Sequence, residues 1–414
     1  MTAPTPADPP FVPGLDLARA LYEEAVRPLL ERTHPGLRHA AARIGPGSEV
    51  LGFDSARSAD HDWGPRLQLF LDPADARRHG PAIRELLAAR LPGHVRGWST
   101  HYRATGDPDN PVSHLAPPPA GGPVDHRVTV HDLPGWLAER LGPPAAAWAD
   151  TDPGPVDWLA LPQQRLAEFT GGALFHDGLG TLTAARGRLR WYPDQVWRHL
   201  LACQWQRIAQ EEAFVGRCAE AGDGLGAALL TARLVRDLMR LAFLMGRRYA
   251  PYGKWFGSAF ARLDTAPALA PALRAALAAT DPAARERHLC EAYEAAARAH
   301  NALGLTEPLD PARRRYHDRP YLVLHADRFA RALQRTVTAP ELRDRPLTGA
   351  VDQWADSTDL LGHPQAVRAA VGVLGRAPTG PTAPPGPGPG CTGHSPVRPS
   401  DAPPAAQRAG TGRE

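Results

Sequence analysis

Gly47-Ser48, then eleven residues, then Asp60-His61-Asp62-Trp63 is the pattern in this chain whose residue types and spacing suit chemistry. On a strand, positions i and i+2 point to one face, so Asp60 and Asp62 would aim their carboxylates at a common point. Two hard oxygen ligands suit Mg²⁺, which binds through one or two carboxylates and fills its shell with water and substrate phosphates. Gly47 and Ser48 give a backbone without bulky side chains, where N–H and hydroxyl donors reach a polyphosphate. Together these are the parts needed to move a nucleotidyl group. The same residue types also build plain turns, in which an Asp side chain bonds its own backbone. Gly64-Pro65 follows directly, and proline cannot serve an interior ladder. The carboxylates are therefore expected on a loop or bulge ahead of a strand Arg66–Leu71.

Lys254 is the second cue. Of 47 basic residues it is the only lysine. The excess of Ala, Arg, Gly and Pro points to a coding bias that replaces lysine with arginine. A lysine that persists under such a bias suits a compact ammonium, which meets phosphate as a point charge without the guanidinium fork. Its setting, Tyr249-Ala-Pro-Tyr-Gly-Lys-Trp-Phe-Gly257, adds Tyr252 and Trp255 as aromatic faces for a base. The plainer alternatives are a chance survivor on a solvated surface and aromatics in a core.

The elements that must carry these residues fall into two halves. A helix with Leu17, Leu21, Ala25 and Leu29 on one face ends before Pro35. After the motif come strand Arg66–Leu71, a helix from Pro81 to Leu91, and strands at His94–Tyr102 and His126–Val130. That alternation predicts a small mixed sheet backed by helices, over residues 14–150. From 151 to 375 the pattern is helical: Asp194 through Ala221, Gly224 through Tyr249, then about 281–302 and 323–336. The second of these has an apolar stripe of Leu225, Leu229, Leu234, Leu238, Leu241 and Met245. Arg233, Arg236 and Arg240 lie on its other side, close to Asp237, as a solvated face or as the lining of a cleft that meets phosphate. Proline-rich residues 1–13 and the Pro/Gly-rich residues 376–414 are expected to be disordered.

With 414 residues the chain is long enough for two cores. No apolar run approaches bilayer-spanning length, and the start has no secretory pattern. Cys203, Cys218, Cys290 and Cys391 lack metal-ligand spacing. A cytoplasmic location is the expectation. A net charge of +3 does not argue for nucleic acid, and no basic tract or recognition motif does so either.

The GS and DxD pattern, with Ile44 ahead of it, resembles the signature of the polymerase-beta-like nucleotidyltransferase superfamily. The stretches FHDGLGTLTAARGRLRWYPDQVW, RIAQEEAFVGRCAE, RRYAPYGKWFGSAF, HNALGLTEPLD and VDQWADSTDLLG are similar to an uncharacterised bacterial family. In that family a nucleotidyltransferase domain precedes a helical domain of unknown function. The resemblance covers roughly residues 15 to 365. It implies an α+β nucleotidyltransferase domain followed by an all-α domain, and transfer of a nucleoside monophosphate from an NTP to a hydroxyl acceptor. An acceptor bound between the two domains would be a small molecule.

In such enzymes two metals clamp the attacking and leaving oxygens, which implies Mg²⁺ at Asp60 and Asp62 and the triphosphate turn at Gly47 and Ser48. A third carboxylate usually comes from a later strand. The alignment places Thr129 there, with Asp125 and Asp132 as nearby substitutes. Antibiotic-modifying nucleotidyltransferases, similar in layout, take a general base from the helical domain, which points to Glu211 or Glu212. Lys254 would neutralise the leaving phosphates. On a strand, His61 would face away from the carboxylates and serve a structural hydrogen bond.

Two other readings compete. The fold could bind nucleotide without turnover, since a third acid is not evident. The dipeptides His61-Asp62, His131-Asp132, His176-Asp177 and His317-Asp318 also invite comparison with HD-type phosphohydrolases. Those enzymes carry such pairs on helices, whereas here each sits beside Gly or Pro.

Overall fold

A four-stranded mixed sheet positions the candidate residues. Its strands are β1 (His39–Arg43), β2 (Arg66–Leu71), β3 (Arg127–Asp132) and β4 (Ala173–Asp177), in the spatial order β3-β2-β1-β4. β1 is antiparallel to both neighbours, while β2 and β3 run parallel, with Arg66 beside Arg127 and Gln68 beside Thr129. The computed structural model describes residues 9–107 and 111–374. The expected disordered segments therefore fall largely outside the described residues.

β1 reads His-Ala-Ala-Ala-Arg, a composition with little strand preference, yet all five residues are buried. Alternation along the strand explains why small side chains sit there. Ala41 joins Leu67, Leu69 and Leu71 in a core built with Leu17 and Leu21 of the N-terminal helical run, and with Ile83 and Leu87 of α1 (Pro73–Arg90). Ala40, Ala42 and Phe70 face the opposite core with Trp136 and Leu137 of α2 (Leu133–Leu141). Alanine lets helices close on both faces of the strand.

That second core runs without a break into the helices that follow. These are α3 (Gln163–Thr170), α4 (Asp194–Glu211), α5 (Gly224–Met245), α6 (Gly253–Phe260), α7 (Pro282–Ala302) and α8 (Asp327–Gln334), with shorter helices between them. Leu166, Leu200, Trp205, Leu238, Ala296 and Phe329 share one cluster with β1. The expected boundary near 150 does not separate sheet from helices, because β4 lies beyond it and pairs with β1. Nor is the second half all-helical: besides β4 it contains the pair Arg314–Arg315 and Leu322–Val323. The described residues form one compact unit.

Several local expectations change in detail. The helix expected from Pro81 begins at Pro73, because Asp72 accepts a hydrogen bond from the Ala74 amide and caps it. The expected strand His94–Tyr102 breaks into a tight hairpin, His94–Val95 with Trp98–Ser99, turning at Arg96 and Gly97 with φ of 53° and 85°. The helix expected to reach Ala221 ends at Glu211, and a separate helix covers Phe214–Glu220. On α5, Leu234, Leu238, Leu241 and Met245 are buried, but Leu225 and Leu229 are exposed. Cys203, Cys218 and Cys290 are free thiols. Among the described residues no helix is long and apolar enough to cross a membrane.

Candidate functional site

The end of β1, the loop leading into β2, and helices α3 and α6 enclose a cleft of about 540 Å³. Gly47, Ser48, Asp60, Asp62 and Lys254 all line it, together with His61, Tyr252 and Trp255. Residues named from separate parts of the sequence thus share one concavity.

The floor is built from buried charge. After β1 the chain turns through Gly47, whose φ of +152° lies where side chains are strained. Beneath the turn Arg43 and Glu49 are each about 2 % exposed. Glu49 Oε1 accepts from Arg43 Nε at 2.8 Å and from Arg66 Nε at 3.0 Å and Nη2 at 2.8 Å. Arg43 also donates to the Ile44 and Pro46 carbonyls. Burial pulls the Arg43 pKa down to about 10, which leaves it charged at neutral pH. Burial pushes the Glu49 carboxyl up, but Arg43 and Arg66 together outweigh it and hold it below the usual range. Two guanidiniums against one carboxylate leave one positive charge under the turn, of which Arg66 itself lines the cleft. The Gly47 and Ser48 amides donate to no acceptor among the described residues. Arg66 and these free amides offer donors to an anion, while the buried Glu49 Oε2 beside Gly47 has no hydrogen-bond partner among the described residues.

Asp60 and Asp62 do not stand on a strand. Asp60 closes a 3-10 turn, Ala56–Asp60, and Asp62 adopts a left-handed φ of 44°, a conformation Asp tolerates better than most residues. A neighbouring strand, Ser113–Leu115, fixes the loop. The Asp62 amide donates to the Ser113 carbonyl at 2.8 Å, and the Ser113 amide returns a bond to Asp62 Oδ1 at 3.0 Å. His114 Nδ1 lies 2.6 Å from the Asp60 carbonyl. Asp60 Oδ1 accepts from the His61 amide and sits 2.9 Å from His61 Nδ1. His61 therefore lines the cleft beside Asp60, where a strand would have turned it away. The second oxygen of each carboxylate carries no hydrogen bond among the described residues.

The opposite wall comes from the second half of the chain. Gln163 Oε1 and Gln164 Oε1 on α3 accept from the Ala250 and Tyr252 amides, fixing the segment that leads into α6. Trp255 stacks on Phe53 with centroids 5.0 Å apart and planes 8° from parallel. Lys254 Nζ lies 5.1 Å from the Trp255 ring, and the Arg262 guanidinium lies 4.0 Å from Phe53. This cation–aromatic ladder ties α6 to the loop after β1. Tyr252, 42 % exposed, presents a free aromatic face to the cleft.

Other expected site residues lie elsewhere. Glu212 is buried, and its carboxylate accepts from the Leu324 and Ala326 amides at 2.8 Å, ahead of α8. Glu211 pairs with Arg233 at 2.6 Å. Neither lines the cleft, so neither stands where a base for chemistry in the cleft was expected. Thr129 lies within 2.9 Å of His131, Asp132 caps α2 through the Gly135 amide, and Asp125 pairs with Arg127. The β3 residue beside Arg66 is Arg127, not an acid. The HD dipeptides sit on strands and turns, with Asp177 bonded to Gly180 and Thr183. Sequence reading missed Arg43, Glu49, Arg66, Gln164 and Glu168, because polar residues at strand ends, in a turn or on a helix give no local sign that folding will bring them to one cleft.

The donor set defines which metal arrangement fits. Two carboxylates, each with one oxygen free of hydrogen bonds among the described residues and lining the same cleft as Gly47 and Ser48, could share one Mg²⁺ with phosphate oxygens. Among the described residues no group of three or more His, Cys, Asp or Glu side chains is placed to hold a metal. A two-metal, three-acid site does not fit these residues.

A family described as a domain of unknown function (DUF4037) matches residues 158–256. The matched stretch supplies one wall of the cleft, including Gln164, Glu168, Tyr252, Lys254 and Trp255, and stops short of Gly47, Ser48, Asp60 and Asp62. No curated protein matches the chain.

Proposed function

We propose that the cleft binds a nucleoside triphosphate with Mg²⁺ and passes its nucleotidyl group to the hydroxyl of a small-molecule acceptor, in the manner of polymerase-beta-like nucleotidyltransferases. What supports this is the convergence of Gly47-Ser48, Asp60, Asp62 and Lys254, remote in sequence, on one cleft with a cationic floor. The Gly47 and Ser48 amides and Arg66 would receive phosphate oxygens. Lys254 would meet the charge that grows on departing pyrophosphate. Asp60 and Asp62 would hold the Mg²⁺, which when bound would neutralise the phosphates. Tyr252 would offer a face for the base.

In the transfer itself, a bond forms from the acceptor oxygen to the α-phosphorus. The α-phosphorus–oxygen bond to pyrophosphate breaks, and its electron pair leaves on pyrophosphate. His61, held beside Asp60 through Nδ1, would take the hydroxyl proton on Nε2.

A second reading, triphosphate binding without turnover, draws on Arg127, not an acid, being the β3 residue paired with Arg66 where β2 leaves the cleft. Calorimetry with ATP, GTP, CTP and UTP, with and without Mg²⁺, tests the shared part. The expected result is Mg²⁺-dependent binding of one triphosphate, weakened at least tenfold in Asp60→Asn/Asp62→Asn. A folded protein that binds no triphosphate would sink both readings. Binding without pyrophosphate release across an acceptor screen would leave the second.

A further inference from the structure

The cleft is not closed at the α6 end. Gln164, Tyr252, Thr358 and Leu361 line it and also line an adjoining cavity of about 430 Å³. That cavity in turn shares Arg236, Arg240, Asp352, Gln353 and Asp356 with a third, of about 260 Å³. The three cavities are linked in series through these shared lining residues, which we take as one groove. At its far end stand four guanidiniums, Arg207 from α4 and Arg233, Arg236 and Arg240 from α5.

Three of those arginines have carboxylate partners. Arg207 lies 3.4 Å from Asp237, Arg233 2.6 Å from Glu211, and Arg236 2.8 Å from Asp356. Arg233 and Arg236 are about half-exposed, and their pairs are of the kind that water and ligands readily replace. Arg240 differs: it is mostly enclosed, and makes no hydrogen bond or ion pair among the described residues. Burial lowers its pKa, with nearby Asp352 and Asp237 acting against that. The Asp352 carboxylate is already used, accepting from the Gln163 amide at 2.9 Å, and burial raises its pKa, which weakens it as a counter-charge. An unpaired guanidinium lining a cavity offers donors to an acceptor, and several arginines lining one small cavity suit the oxygens of a phosphate.

We propose that this arginine pocket binds the phosphate group of a phosphorylated small molecule, the acceptor whose hydroxyl reaches along the groove toward the Gly47-Ser48 turn. The acceptor role rests on the nucleotidyl-transfer reading; the anion site stands on its own residues.

The test is titration of inorganic phosphate into the full chain at fixed low ionic strength. Wild type is compared with Arg240→Gln, Arg240→Lys and Lys254→Ala. Phosphate affinity is expected to fall at least tenfold in Arg240→Gln and less in Arg240→Lys, and to fall less in Lys254→Ala than in Arg240→Gln. Acetate at the same concentration is expected not to compete. A loss that follows Lys254 and spares Arg240 would put phosphate in the cleft and overturn the proposal. Equal competition by acetate would overturn the phosphate assignment. Should Arg240→Gln unfold, Arg240→Lys carries the comparison, its weaker binding or wild-type binding deciding the matter. Triphosphate titrated into the same variants separates the two claims: an Arg240-dependent phosphate site in a protein that binds no triphosphate would keep this site and remove the nucleotide reading.

Discussion

A methyl group at Gly47 would meet Arg43 Nη2 and Glu49 Oε2 at 2.5 Å. Both atoms belong to a buried charge cluster that cannot retreat without breaking charge-assisted bonds. The positive φ adds backbone strain for any larger residue. Gly47→Ala is accordingly expected to destabilise the fold by about 1–3 kcal/mol, and to lower triphosphate affinity by displacing the turn. Denaturant midpoints and calorimetry on the same sample check both. Wild-type stability in Gly47→Ala would mean that the Arg43–Glu49 cluster does not pack against the turn. The same cluster explains why Ser48 alone is a weak cue. A serine after glycine is common in turns, whereas a buried cation under one is not.

At the scale of elements, Glu212 acts as a peg. It directly follows α4 as its C-cap, and its carboxylate accepts from the amides that precede α8. Burial pushes its pKa up from 4.5 to about 7. A carboxyl raised in the folded state gives stability that is present below its unfolded pKa and lost as pH rises through the folded one. Its contribution should therefore fade between about pH 4.5 and pH 7. Glu212→Gln removes this titration. The melting-temperature difference between wild type and variant is expected to shift steadily in the variant's favour over that window and to level off above it. A difference independent of pH would show that Glu212 titrates as an ordinary exposed glutamate. In the cleft, the Phe53–Trp255 stack joins α6 to the loop after β1, so the two walls are tied by packing and not only by chain connection.

Across the whole molecule, the helical core carries two histidines kept neutral. His199 and His300 both have pKa values lowered to about 4 by burial. His300 Nδ1 accepts from Trp205 Nε1 at 3.2 Å, and its ring lies edge-on to Phe329. The unfolded chain takes up protons on both near pH 6.5 while the folded chain does not. Stability from these two groups is full above pH 6.5 and is lost as pH falls toward 4. Both act against Glu212 where the windows overlap, and two groups outweigh one. Thermal unfolding is expected at lower temperature at pH 5 than at pH 7, with a smaller difference in His300→Gln. A melting temperature that rises on acidification would contradict the buried neutral state of both rings.

Periodicity and turn chemistry in the sequence determined the helices α5 and α7, the strand Arg66–Leu71 and the alternation of its faces, since these depend on residues close in the chain. Pro65 also placed Asp60 and Asp62 ahead of that strand. Residue chemistry and spacing drew attention to Gly47, Ser48, Asp60 and Asp62, and Lys254 stood out as the only lysine. Only the tertiary structure decided that β1 is a strand, because Ala40–Ala42 become strand residues through burial between two layers and not through preference. It alone brought β4 across the expected boundary to pair with β1. It gathered the five residues into one cleft, set the Arg43–Glu49–Arg66 cluster beneath it, and moved Glu211 and Glu212 away. Local sequence carries propensity, whereas burial and the pairing of charges are properties of contacts between residues far apart in the chain.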